Sequence, residues 1–287
     1  MEIKMTKQEK TGNIFAYIVL TAMFLLTLFP LLYLLFASFK TNAEILTDPG
    51  AILPRHPTLQ NYIDVWHSDV FDIRHMLFNS IYYTVGIVAA TLISSSLGGY
   101  VFARGEFRGK SFWLGAFSLL MFFGMGSITI YPLLKILNVL HVPKSLPGLM
   151  LIRIFGVNIV NIYLVRSYIY SLPKAIEEAA EIDGCSFAGI FFRVIMPLLM
   201  PIMATIGVLA FQGSWNEYLM PMIFTLGDPK QRPLVVGVIA LSKSGEAAAS
   251  YNLVFAGTAI ALLPVIVAYA IGNKYFVSGL AAGAVKG

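Results

Sequence analysis

Long apolar runs separated by short polar loops make up most of this chain. Six runs are long enough to cross a hydrocarbon layer about 30 Å thick; they lie at residues 14–36, 78–102, 112–130, 146–167, 198–219 and 253–275. Arg153, Asn158 and Asn161 interrupt the fourth run, and Gln212 and Asn216 the fifth. Lys4, Lys7 and Lys10 ahead of the first run give it the outline of a secretory leader. Its length is well beyond the roughly 7–15 residues of a leader's apolar core, and no small-x-small cleavage site follows. The pattern predicts a retained first span and an all-α integral membrane protein with six transmembrane helices.

Composition agrees with this pattern. Of the 287 residues 57% are hydrophobic and 12% charged, about half the charge of a typical soluble domain, roughly 25%. The net charge of +5 does not imply nucleic acid, because the basic residues sit between apolar runs rather than along a stripe with interleaved aromatics. Their density orients the chain. Arg104, Arg108 and Lys110 crowd the short loop after the second run, whereas Lys40, Arg55 and Arg74 are spread over the long loop after the first. The positive-inside rule then places both termini and the second and fourth loops in the cytoplasm. The single cysteine, Cys185, excludes an internal disulfide. His56, His67, His75 and His141 lack metal-ligand spacing, so no metal is expected.

The segment 105–111, GEFRGKS, imitates a phosphate-binding loop. That motif needs four residues between its glycines and a buried strand ahead of it; here three residues intervene and a span precedes. With no soluble domain in view, the whole chain reads as one transmembrane domain that cannot hydrolyse a nucleotide by itself.

The fourth loop, 168–197, differs from the others. Ser171 is placed to cap a helix with Pro173 in its first turn. Good helix formers fill 174–183, and Gly184 sits where a left-handed residue would end that helix. A second helix is expected from Ser186 through Phe187, Phe191, Phe192 and Val194 until Pro197 stops it. Ile176, Ala179 and Ala180 share one face of the first helix beside a row of acids. Four acids within seven residues (Glu177, Glu178, Glu181, Asp183) run against the positive-inside trend. Anionic lipid would repel them, so a protein partner is the better reading for this helix-turn-helix.

Glu178-Ala179-Ala180, then three residues, Gly184, nine residues, Val194, one residue, Met196 and Pro197 resembles the EAA loop of ABC importer permeases. Val194 and Met196 stand where the family pattern has Ile and Leu, substitutions that keep the bulk. Ser38-Phe39-Lys40, Asn61-Tyr62, Ala103-Arg104 with Phe107-Arg108-Gly109, residues 213–218 (GSWNEY) and the ending from Tyr275 to Gly287 extend the likeness over nearly the whole chain. It is nearest to the second permease of maltose-type carbohydrate importers. The resemblance implies the type I importer permease fold in a bacterial cytoplasmic (inner) membrane, among membrane lipid. It implies coupling to a dimeric ATP-binding subunit through Glu178, Ala179, Ala180, Asp183, Gly184 and Pro197, and pairing with a second, different permease. It also implies delivery of a sugar-like solute by an extracytoplasmic solute-binding protein. ATP and Mg would be used by the ATPase partner, with no cofactor on this chain and no nucleic acid.

Polar groups at bilayer depth are costly and usually face protein or water. Glu217, with Gln212, Trp215 and Asn216 nearby, would suit a sugar, as would Asn158 and Asn161, which are three apart. The same residues would also serve an interfacial aromatic belt or hydrogen bonds between helices. Arg153 reads as a snorkelling or lipid-contacting cation, and Ser94-Ser95-Ser96 with Gly98-Gly99 as a site of close helix packing rather than of binding. An ion-gradient-driven secondary transporter, the alternative, would want buried acids or unwound helices in symmetric positions, and neither is apparent in the sequence.

Overall fold

A computed structural model describes residues 7–68, 71–122, 129–156, 158–243 and 251–284. Every regular element among them is helical. Four helices are long and apolar enough to span a membrane: Asn13–Ala37, Ile73–Arg104, Leu146–Ser171 and Tyr251–Gly272. A fifth arises if Phe187–Leu198 and Met200–Trp215, bent by 75° at their junction, form one span. The protein is an all-α, multi-pass membrane protein. Of the run expected at 112–130, the helix Lys110–Phe122 is described, and 123–128 lie outside the described residues.

The elements in order are α1 (Lys7–Ala37), α2 (Asn42–Thr47), α3 (Gln60–His67), α4 (Ile73–Arg104), α5 (Lys110–Phe122), α6 (Ile130–Val139), α7 (Leu146–Phe155) and α8 (Ile159–Ser171). There follow α9 (Ala175–Ile182), α10 (Phe187–Ile190), a π-turn (Phe191–Ile195), α11 (Met196–Leu198), α12 (Met200–Trp215), α13 (Leu219–Phe224), a 3₁₀ turn (Pro229–Gln231), α14 (Leu234–Lys243) and α15 (Tyr251–Ala284). The chain divides into two compact units, residues 1–73 with 238–262 and residues 74–237 with 263–287.

In the first unit, α1 leaves Ile14, Phe15, Tyr17, Phe24 and Leu26 exposed, as expected of a helix whose solvent is hydrocarbon. Order is imposed by a polar staple after it. Asn61 Nδ2 donates to the carbonyls of Ser38 (2.7 Å) and Lys40 (2.8 Å), and Asn61 Oδ1 accepts from Asn252 on α15 at 2.9 Å. Ser38 Oγ and Tyr62 Oη share a 2.6 Å hydrogen bond. Lys40 is fully buried, with its ammonium bonded to the Ala51 carbonyl. Two separated sequence fragments, 38–40 and 61–62, are thus one structure. Buried backbone groups must be paired, and Asn61 supplies the partners where the chain leaves the helix.

In the second unit, the expected close approach at Gly98-Gly99 is present. A Cβ on Gly98 would lie 2.9 Å from Ile162 on α8, and Gly99 faces Val165. One apolar core gathers Tyr100, Val165, Ile169, Ala180, Ile190, Phe191 and Leu199 near the ends of α4 and α8. A second packs Tyr83, Leu137, Leu146, Leu149, Met150 and Phe224 together, joining α4, α6, α7 and α13. The span Leu146–Ser171 is assigned as two helices, α7 and α8. α7 stops at Gly156 and α8 restarts behind Asn158, whose side chain accepts from the Asn161 N–H. The asparagine that interrupts the run is the N-cap of the second half.

Candidate functional site

Two places concentrate polar chemistry, and both lie in the second unit. The first is the elbow around α9. Its turn follows the Schellman pattern: the Cys185 N–H reaches the Ala180 carbonyl at 3.0 Å and the Gly184 N–H reaches Glu181 at 2.9 Å. Gly184 has φ +80 with open space where a Cβ would stand. Glycine is therefore required for its backbone and not for packing. Ser186 caps the next helix by accepting from the Gly189 N–H at 3.2 Å, at the position where the sequence predicts that helix to start.

Two expectations for the elbow are corrected. Ser171 does not cap α9. It is the last residue of α8, its hydroxyl bonds back to the Tyr168 carbonyl at 2.6 Å, and α9 begins after Lys174 without a side-chain cap. Pro197 does not stop the second helix either. The backbone widens into the π-turn Phe191–Ile195 just ahead of it, so the ring and missing N–H are accommodated without ending the helix. The break comes at Leu199, between α11 and α12.

The acids of α9 divide between two faces. Glu177 is buried with Ala180, while Glu178, Ala179, Ile182 and Asp183 are exposed, Ile182 at 87%. Glu177 forms an ion pair with Arg104 at 2.7 Å, both side chains only 11% exposed. The same guanidinium donates to the carbonyls of Ile169 (3.2 Å) and Leu172 (3.5 Å) where α8 ends. One arginine at the C-terminus of α4 thereby binds the last carbonyls of α8 and the inner face of α9. It meets the need of a helix end for donors and offsets the burial of Glu177. Sequence reasoning missed Glu177 because the pair joins positions 73 residues apart. The available signal was its i, i+3 spacing from Ala180, which puts both on one face.

The second place is a cavity of about 670 Å³ between α4, α5, α7, α8 and α12. Among its polar lining residues are Thr91, Ser94, Asn158, Asn161, Ser214 and the pair Arg153–Glu217. Arg153 is not a lone lipid-facing cation: its guanidinium is paired with one oxygen of Glu217. The other oxygen accepts from Tyr83 Oη at 2.6 Å. Of the sequence candidates, Asn158, Asn161 and Glu217 meet at this cavity; Gln212, Trp215 and Asn216 are not among its lining residues. Trp215 is buried and stacks on Phe211 with ring centroids 5.6 Å apart. Asn216 Nδ2 donates to the Gln212 carbonyl at 3.0 Å, tying off the end of α12.

The described residues thus combine membrane-length helices, a cavity with polar and apolar lining, and a short helix with an exposed acidic face. The family model "Binding-protein-dependent transport system inner membrane component" matches residues 84–281, and the chain belongs to that family. Similar proteins include the sulfoquinovosyl glycerol transport system permease protein SmoH of Agrobacterium fabrum, 32% identical, with 91% of this chain and 89% of that one covered. The galactooligosaccharides transport system permease protein GanQ of Bacillus subtilis is 31% identical over 96% and 95%. A crystal structure of a bacterial ABC transporter involved in the import of the acidic polysaccharide alginate contains a chain that superposes with a TM-score of 0.82 at 26% identity, covering 96% of this chain and all of that one. The protein is a non-catalytic membrane permease component of an ABC-type importer, which pairs with an ATPase and a solute-binding protein. Binding-protein-dependent transport sets aside the ion-gradient alternative.

Proposed function

We propose that this chain is one permease domain forming half of the translocation pathway for a sugar or sugar-like solute, and that α9 is the helix through which the ATPase drives it. The carrying observation is the division of α9 into two faces. The inner one is fixed by Arg104 to the ends of α4 and α8, and the outer one presents Glu178, Ala179, Ile182 and Asp183. Small and acidic residues on a helix anchored from behind give a partner a close surface and give force a route into the bundle. Closure of the ATPase dimer would move this elbow, and α4 and α8 with it.

The rest of the reading follows from the sequence. Basic density at Arg104, Arg108 and Lys110 puts the elbow and both termini in the cytoplasm; six spans complete the bundle, in a bacterial inner membrane. The partner permease is a different chain. The solute class rests on relatives whose names specify sulfoquinovosyl glycerol, arabinooligosaccharides and galactooligosaccharides. Asn158, Asn161 and Glu217 are its candidate contacts. The test replaces Cys185 with Ser, introduces Ile182→Cys, and cross-links the assembled complex. A bond to the ATPase subunit that ATP modulates is expected. Cross-linking to no ATPase, or solute uptake that proceeds without ATP, would refute the reading.

A further inference from the structure

In the first unit, the chain between α2 and α3 is tied to the ends of two spanning helices. α1 contains the span Asn13–Ala37 and α15 the span Tyr251–Gly272. Asn61, in the first turn of α3, donates to the Ser38 and Lys40 carbonyls just past the end of the first span. It accepts from Asn252 in the first turn of the second. Tyr33 Oη, in the last turns of α1, donates to the Pro49 carbonyl at 2.8 Å. The chain ahead of α3 therefore folds back along α1, by roughly 6 Å at 1.5 Å per residue. The Thr58 N–H, bonded to the Phe39 carbonyl at 2.9 Å, closes this loop. Residues 49–66 are thereby held at the depth where hydrocarbon gives way to headgroups.

At that depth α3 presents distinct surfaces. Asn61 and Val65 are buried. Gln60 and Asp64 form a polar flank, joined by a 2.8 Å hydrogen bond from Gln60 Nε2. Leu59, Ile63 and Trp66 follow the i, i+4, i+7 spacing of one helix face, and they are 65%, 50% and 44% exposed. Ile52 and Leu53 in the folded-back loop are exposed as well. A contiguous apolar face marks a protein or membrane contact, and its height favours the membrane. Trp66 ends the face, and tryptophan concentrates at membrane–water interfaces because its ring is apolar while its N–H needs a polar partner. Charge decides the mode of attachment. Residues 41–68 carry Glu44, Asp48 and Asp64 against Arg55, and Arg55 is paired with Asp48. The segment has no cationic surplus to draw anionic headgroups, which leaves burial of the apolar face. We infer that α3 is an interfacial helix: its Leu59–Ile63–Trp66 face inserts into the boundary of acyl chains and headgroups in the leaflet where α1 ends, without help from anionic lipid. On the orientation proposed above this is the outer leaflet, but the inference requires neither that assignment nor the role of α9.

The experiment uses the assembled transporter, with Cys185→Ser and cysteine-free partner subunits, in phosphatidylcholine vesicles with and without phosphatidylglycerol. Nitroxide labels are attached singly at Leu59→Cys, Ile63→Cys and Asp64→Cys. Collisional relaxation is then measured with oxygen, which concentrates in lipid, and with a water-soluble nickel chelate. Oxygen is expected to dominate at 59 and 63 and nickel at 64, so that the accessibility ratio reverses between neighbouring residues, equally in both lipid mixtures. Labels at 59 and 63 that neither reagent reaches would mean that a protein covers the face, the second permease or the solute-binding protein, and would overturn the inference. A ratio at 59 and 63 equal to that at 64 would show that no face is selected for lipid, and overturns it too. Lipid contact that appears only with phosphatidylglycerol refutes apolar insertion. Positions 59 and 63 report separately, so one suffices if the other variant fails to assemble.

Discussion

Gly184 concentrates the residue-scale logic of the elbow. Its φ of +80 lies in the left-handed region, and no neighbour stands within 4 Å of where a Cβ would be. Any effect of substitution is therefore conformational. A branched L-residue there costs about 1–2 kcal/mol, so Gly184→Val should displace the turn and raise the ATP hydrolysed per solute imported. Gly184→Asn, which adopts the left-handed region more readily, should stay near wild type. Uptake and hydrolysis measured together in proteoliposomes check this; equal coupling in both variants would show that the turn does not transmit force. Glu217 is informative in a different way. Tyr83→Phe removes the donor to one of its oxygens, and loss of one such bond to a charged group costs about 1.5–3 kcal/mol. A lowered melting temperature of the purified complex in detergent is the expected outcome.

At the scale of elements, Arg104 decides how α9 is held. Arg104→Ala would leave Glu177 nearly buried without its ion-pair partner, the Leu172 carbonyl without the guanidinium donor, and the Ile169 carbonyl with the Leu172 N–H in place of two donors. Breaking a buried pair in this way costs about 3–5 kcal/mol, so this variant should melt earlier and hydrolyse ATP without matched uptake. Arg104→Lys should rescue poorly, because an ammonium lacks the planar fork that serves a carboxylate and two carbonyls together. The exchanged pair, Arg104→Glu with Glu177→Arg, restores opposite charges but puts an acceptor where the α8 carbonyls need donors; partial recovery is expected. Full recovery would mean that only the charge pair matters. The π-turn ahead of Pro197 belongs to this scale too. Proline reads from sequence as a stop, yet a helix that widens by one residue can continue past it.

For the whole molecule, topology is the claim to test. In the Cys185→Ser background, a membrane-impermeant maleimide should label His56→Cys in intact cells and Ile182→Cys only after permeabilisation. The reverse result would invert the assignment of sides. The apolar runs that become the helices Asn13–Ala37, Ile73–Arg104 and Tyr251–Gly272 were legible from residue order alone, because lipid demands continuous hydrophobicity and a helix satisfies its own backbone. The Gly184 turn and the helix start at Ser186 were legible for the same local reason: each depends on a few adjacent residues. The staple of Ser38 and Lys40 by Asn61 was visible only as two unconnected fragments. The pairs Arg104–Glu177 and Arg153–Glu217 were not legible, since their members lie 73 and 64 residues apart and nothing local selects one partner over another.

By itself, then, the amino-acid order determined the long apolar stretches that become membrane-length helices, where the elbow turns and where the helix after it starts. These are matters of local hydrophobicity, backbone conformation and missing donors. Tertiary structure alone decided which charges are compensated, which face of α9 is left exposed, and that Asn158 and Glu217 border one cavity. Burial and pairing are properties of neighbours in space, and helix packing sets those neighbours across large separations in the chain.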